Sequence, residues 1–259
     1  MSSEIDEQNS MPKAFVILNR LLRPFLCALV LFFSLGSGAE EPAEQAGEVS
    51  ASEKGAGKVA EGSGNAADQS AEAARQRIDE FHGFLLEIMK EAEVLGFEGR
   101  AKRLQELLPG YIDQNYMAQK ALGRKWRKLT DEQKKDLLEA FGVLNIYSYA
   151  DRFNGYSGEQ FETVSSDIDE QGDAKVDSQV VLTEGDPVRL LYRMHLVEGR
   201  WFVKDVYLNG RVSEMALRRS EYSSILKAEG FDALLVAIWA KSDLMMKDDM
   251  TASKGTSKE

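Results

Sequence analysis

Cysteine is almost absent: Cys27 is the only one among 259 residues. A single thiol forms no intrachain disulfide and no thiolate metal cluster. It lies in the middle of the apolar run PFLCALVLFFSLGSGA, not at its end, which argues against lipid attachment there. Histidine is nearly as scarce, with His82 and His195 alone. Neither belongs to an H-E-x-x-H zinc pattern, and no G-x-S-x-G turn offers a serine nucleophile. Isolated histidines of this kind are expected at the surface or half-buried. G-x-G-x-x-G and G-x-x-x-x-G-K-[ST] are missing as well, so no phosphate-cradling loop is encoded. The longest apolar run is about a dozen residues, short of the roughly 20 that a spanning helix needs. Finally, net positive charge is lacking. The chain carries −11, which speaks against a nucleic-acid partner.

What is present begins with an export pattern. Lys13, Arg20 and Arg23 precede the apolar run, which closes on Gly38 and Ala39. This reads as a signal peptide over 1–39, with Met11 as an alternative start and an uncleaved anchor as the other reading. Cleavage after Ala39 would remove Cys27 and leave a mature chain without cysteine. Residues 40–74 are dominated by Ala, Gly, Ser and Glu, with no aromatic. Such a segment cannot offset its ordering entropy and reads as a flexible linker. The polar tail 247–259 is expected to fray. One domain, 75–246, remains, held by an ordinary core.

Within it the period is first helical. Ile78, Phe81, Leu85 and Ile88 recur at three and four, Gly96 and Gly99 interrupt, and Pro109-Gly110 stops a second helix. Thr130 followed by Gln133 fits a capping box, opening a helix with Leu137, Phe141 and Leu144 on one face. The period then changes to 2. EQFETVSSDI, DAKVDSQVVL, PVRLLYRMHLV and GRWFVKDVYLNG read as four strands, the last two joined at Glu198-Gly199. Helices follow to the end. The expected fold class is α+β: an antiparallel sheet of about four strands, strongly curved, packed against N-terminal and C-terminal helices around an apolar cavity. Curvature or a bulge is required because strict alternation puts Trp201 and Val203 on one face of the fourth strand and Val206 on the other. A filled core with helices touching both sheet faces fits the same pattern.

Polar candidates are few. Asp205 interrupts an apolar strand and needs a partner. Arg218 or Arg219 in the following helix could reach it, and Arg219 is assigned to the structural pair. GRKWRK, Gly123 to Lys128, is the densest basic patch. It suits an anionic headgroup or an acidic partner, or is simply a solvated turn.

Two blocks carry a resemblance. One runs Leu122, Gly123, Trp126, Thr130, Gln133, Phe141, Tyr147 or Tyr149, and Tyr156. The other runs Tyr192-Arg193, Trp201, Asp205-Val206, Asn209-Gly210, Ser213, Arg219-Ser220 and Tyr222. Together they resemble the periplasmic phospholipid-binding proteins of the MlaC type, also called the toluene-tolerance family, including hopanoid-associated relatives. The chain departs from that pattern in having both Arg211 and Val212 between the Gly and the Ser, and in its long N-terminal linker. The resemblance implies a non-enzymatic periplasmic carrier without cofactor. It would pass phospholipid between an outer-membrane lipoprotein complex and an inner-membrane ABC transporter with its substrate-capturing domain. It would hold acyl chains on Phe141, Leu144, Tyr147, Val180, Leu190, Tyr192, Trp201, Val203, Val206, Ile225 and Leu226. Arg124, Lys125 and Arg127 would serve docking or contact near the headgroup. Rivals are a hopanoid carrier, a periplasmic adaptor with a filled core, and an enzyme using His195 with Asp205.

Overall fold

Ala74, Ile78, Phe81, Leu85 and Ile88 form the buried stripe of a long first helix, α1 (Glu61–Lys90). The structure, a computed structural model, describes residues 61–255. The signal peptide and most of the 40–74 linker therefore lie outside the described residues. Helix α2 (Ala92–Leu107) is broken at Gly96, whose φ of 58° suits a residue without a β-carbon. A 3₁₀ turn at Leu108–Gly110 leads into Tyr111–Asp113, which runs alongside the sheet: Asp113 N donates to Val203 O at 3.0 Å and Val203 N to Tyr111 O at 2.8 Å. Helix α3 (Gln114–Leu122) is capped by the Asp113 carboxylate, and Gly123–Lys128 follows as a second 3₁₀ turn. Helix α4 (Asp131–Arg152) opens on the reciprocal Thr130–Gln133 capping box.

The sheet is an antiparallel meander in the order β1 (Gln160–Ile168), β2 (Ala174–Val181), β3 (Val188–Val197), β4 (Arg200–Leu208), β5 (Val212–Ser213). Ser213 then caps α5 (Glu214–Ala228), and α6 (Phe231–Gly255) completes the described chain. The β3–β4 turn is Glu198 (φ 50°) and Gly199 (φ 77°). That is the left-handed pair a two-residue hairpin demands.

Several expectations are corrected. The sheet has five strands, not about four, because Val212–Ser213 is too short to show a period. It is also open, with β1 and β5 as its edges, and is not strongly curved. The conflict on β4 is resolved by a bulge instead. Arg193 lies opposite Asp205 and Met194 opposite Val203, so Lys204 is the extra residue. Inserting it shifts the alternation by one, and Trp201, Val203, Val206 and Leu208 all become buried on one face. Helices form the second wall of the core, so the sheet has no need to wrap around it. The residues expected to line an apolar cavity belong to one buried cluster shared by sheet and helices. The tail also differs. Helix α6 continues past Met246, and Asp249 is buried against Arg100 at 2.7 Å.

Candidate functional site

Strand β2 alternates strictly, burying Ala174, Val176, Ser178 and Val180. Tyr192 and Met194 of β3 continue that face, and the bulge adds four residues of β4. The sheet candidates Val180, Leu190, Tyr192, Trp201, Val203 and Val206 are thus brought together, with Leu190 partly buried. The helix candidates join the same cluster from different sides. Phe141 packs under the Arg218 guanidinium at 4.8 Å, while Tyr147 turns to α2 and meets Phe97 edge-on at 5.0 Å. Leu144 is buried, and Ile225 and Leu226 are half-buried.

Several polar groups inside this interior were not legible as site residues. His82 is buried, not at the surface or half-buried as expected. Its ring stacks on Phe161 at 4.4 Å, and its Nε2 lies 2.9 Å from the Tyr192 hydroxyl, 110 positions away. Burial without a countercharge pushes its pKa down from 6.5 to about 3. Nδ1 has no partner among the described residues. Under α4 and α5, Glu214 accepts from Arg218 at 2.7 Å and lies 3.8 Å from Arg152. Burial works to raise the Glu214 pKa, but Arg218 and Arg152 overcome it and hold the carboxyl below its usual value. Tyr222 OH is buried beside Arg218 without a hydrogen bond of normal geometry, and its pKa is raised to about 12, chiefly by burial. Only the positions of His82 and Arg218 beside apolar stripe residues hinted that these groups turn inward.

Asp205 joins the sheet to α5. Its carboxylate accepts from Ser213 Oγ at 2.6 Å, Val206 N at 2.8 Å and Met215 N at 3.2 Å. These are its partners, rather than Arg219. His195 pairs with Asp113 at 3.0 Å, not with Asp205, and Asp113 is already engaged as a helix cap. Arg124, Lys125 and Arg127 are exposed on the 3₁₀ turn. The described grooves are open, and charged groups line each. One of about 450 Å³ lies between Pro109–Asn115 and the β3–β4 hairpin. Among the described residues no group of three His, Cys, Asp or Glu is placed to hold a metal.

The family model described as MlaC protein matches residues 80–239, more than half of the chain and nearly all of the fold just described. The chain belongs to the MlaC family. No curated protein sequence matches it. The fold is similar to that of a solved phospholipid-binding protein from Ralstonia solanacearum, a structure in complex with a phospholipid. The TM-score is 0.60 at 19% identity, covering 66% of this chain and 98% of that one. MlaC-family proteins are non-catalytic lipid carriers of the periplasm, and lipid carriage is the general function this chain shares with them.

Proposed function

We propose that the mature protein is a soluble periplasmic shuttle that holds phospholipid acyl chains between the sheet and its helices. The family match over residues 80–239 carries the reading. The continuous apolar face from Val180 to Val206 supports it. Chains would lie along this apolar face, between the sheet and the helices that cover it. The gain comes from taking the lipid out of water, at about 0.8 kcal/mol per CH₂. Leu190, Tyr192, Trp201 and Val203 would line the chains from the sheet, with Phe141, Leu144, Tyr147, Ile225 and Leu226 from the helices. Arg124, Lys125 and Arg127 would sit near the headgroup or at a docking contact. The donor and acceptor are an outer-membrane lipoprotein complex and the substrate-capturing domain of an inner-membrane ABC transporter.

Native mass spectrometry of protein purified from the periplasm without detergent tests this. A discrete adduct of phospholipid mass is the expected result. An adduct of hopanoid mass would keep the carrier and change its cargo. Bare protein that also takes up nothing from labelled vesicles would overturn the proposal.

A further inference from the structure

The outward face of β3 and β4 carries a feature that lipid carriage does not use. Arg193, Lys204 and Tyr207 lie on the side of the sheet opposite Tyr192 and Val206. With Tyr116 and Lys120 of α3 and Arg219 of α5 they wall an open groove of about 320 Å³. Four cations there meet two carboxylates, Asp173 and Asp205. Asp173 is engaged by Lys204 and, at 3.3 Å, by Arg193. Asp205 is engaged by Ser213 and backbone N–H groups. Lys120 and Arg219 are left over: among the described residues, neither has a carboxylate within ion-pair distance. Lys120 instead stands 5.0 Å from the centroid of the Tyr116 ring, which Lys204 approaches to 5.6 Å. The Arg219 guanidinium lies against Gly123, where a β-carbon would be 3.3 Å from Nη2. That contact joins the groove to the exposed basic turn Gly123–Lys128. In a chain of net charge −11 this is a concentrated positive basin.

We propose that this groove, between α3, α5 and the outward face of β3–β4, is a docking site for an acidic, extended segment of a partner protein. One carboxylate enters the groove at Lys120 and Arg219, and flanking acids run along the turn. A concave groove admits a side chain, whereas a flat bilayer does not reach Arg193 and Lys204 at its wall, and Asp173 and Asp205 would repel anionic headgroups. Tyrosine and arginine, which line it, are the residues that most often anchor protein interfaces. The acyl chains proposed above lie on the other face of the sheet from this groove. The turn Gly123–Lys128 serves here in its docking role, and to that extent the inference rests on the proposed function.

The test is fluorescence anisotropy with a short labelled peptide of alternating Glu and Gly, titrated with the whole mature protein. Saturable binding that weakens with added salt is expected. The double substitution Lys120→Glu/Arg219→Glu should weaken it by about tenfold or more, as reversing charges at a complementary interface does. Arg189→Glu, on an exposed arginine paired with Asp177 outside the groove, should leave it unchanged. Both groove residues are exposed, and Lys120→Gln/Arg219→Gln serves if the reversed pair fails to fold. Absence of saturable binding, or equal loss with Arg189→Glu, overturns the proposal. So does binding to phosphatidylglycerol vesicles that the groove substitutions abolish while the peptide stays unbound. That outcome would assign the surface to a membrane.

Discussion

His82 shows how a single side chain sets a pH dependence. Its pKa falls from 6.5 to about 3 because its charge would be buried without a partner. The unfolded chain binds this proton below about pH 6.5 and the folded chain refuses it. The contribution is intact above pH 6.5 and is lost as the pH falls toward 3, at roughly 1.4 kcal/mol per pH unit. His82→Phe keeps a ring on Phe161 and removes the term. Urea midpoints followed from about pH 7.5 down to about pH 4.5 should fall less steeply for the variant. Equal slopes would place the acid sensitivity in other groups. Val180 poses a different question at the same scale. It is buried on β2, opposite Phe161 and Val188. Val180→Trp is expected to cost about 1–3 kcal/mol by overpacking. Lipid occupancy in native mass spectra should drop severalfold, more than the stability loss accounts for. A variant that is destabilised yet fully lipid-loaded would make Val180 ordinary core.

Elements are held together by contacts that range from local to very distant. The capping box at Thr130 and the stripe of α1 were legible because every group involved lies within a turn or two of its partner. The bulge at Lys204 was not, since it is defined only by what faces it on β3. The same holds for the pair Arg100–Asp249, separated by 149 positions, which clamps α6 against α2. Arg100 also donates to Ala150 O and Ala92 O at 3.0 Å. Asp249→Asn removes a countercharge 2.7 Å from a buried guanidinium and should cost about 3 kcal/mol in urea unfolding. Arg100→Met/Asp249→Leu should recover most of that loss, because an apolar pair of similar volume carries no desolvation penalty. Failure of the double variant to recover would mean that the carbonyl bonds of Arg100 matter more than the pair.

For the molecule as a whole, export decides what chemistry is available. On the proposal that the leader is cleaved between Ala39 and Glu40, Cys27 leaves with it, and the intact mass of periplasmic protein should correspond to a chain that begins at Glu40 and be unchanged by iodoacetamide. A carbamidomethyl increment would show that the leader is retained. The fold then depends on one core cluster shared by sheet and helices, with no disulfide to hold it. A lipid held against that core would stabilise the folded carrier by mass action, which ties its stability to its cargo.

The amino-acid sequence by itself determined the order of the helices and of the first four strands, the Thr130 capping box, the Glu198-Gly199 turn, the apolar face of β2 and β3, and the family. Each of these is written in local spacing or in residues that recur at fixed intervals. Only the tertiary structure decided that the sheet is open and five-stranded, that a bulge unites Trp201 with Val206, that His82 turns inward to Tyr192, and that Asp205 is satisfied by Ser213 and backbone N–H groups. It alone placed Lys120 beside Arg219 across one groove. The reason is the same in each case: these features depend on pairs of groups brought together by packing, and periodicity along one segment holds no information about what the opposing segment presents.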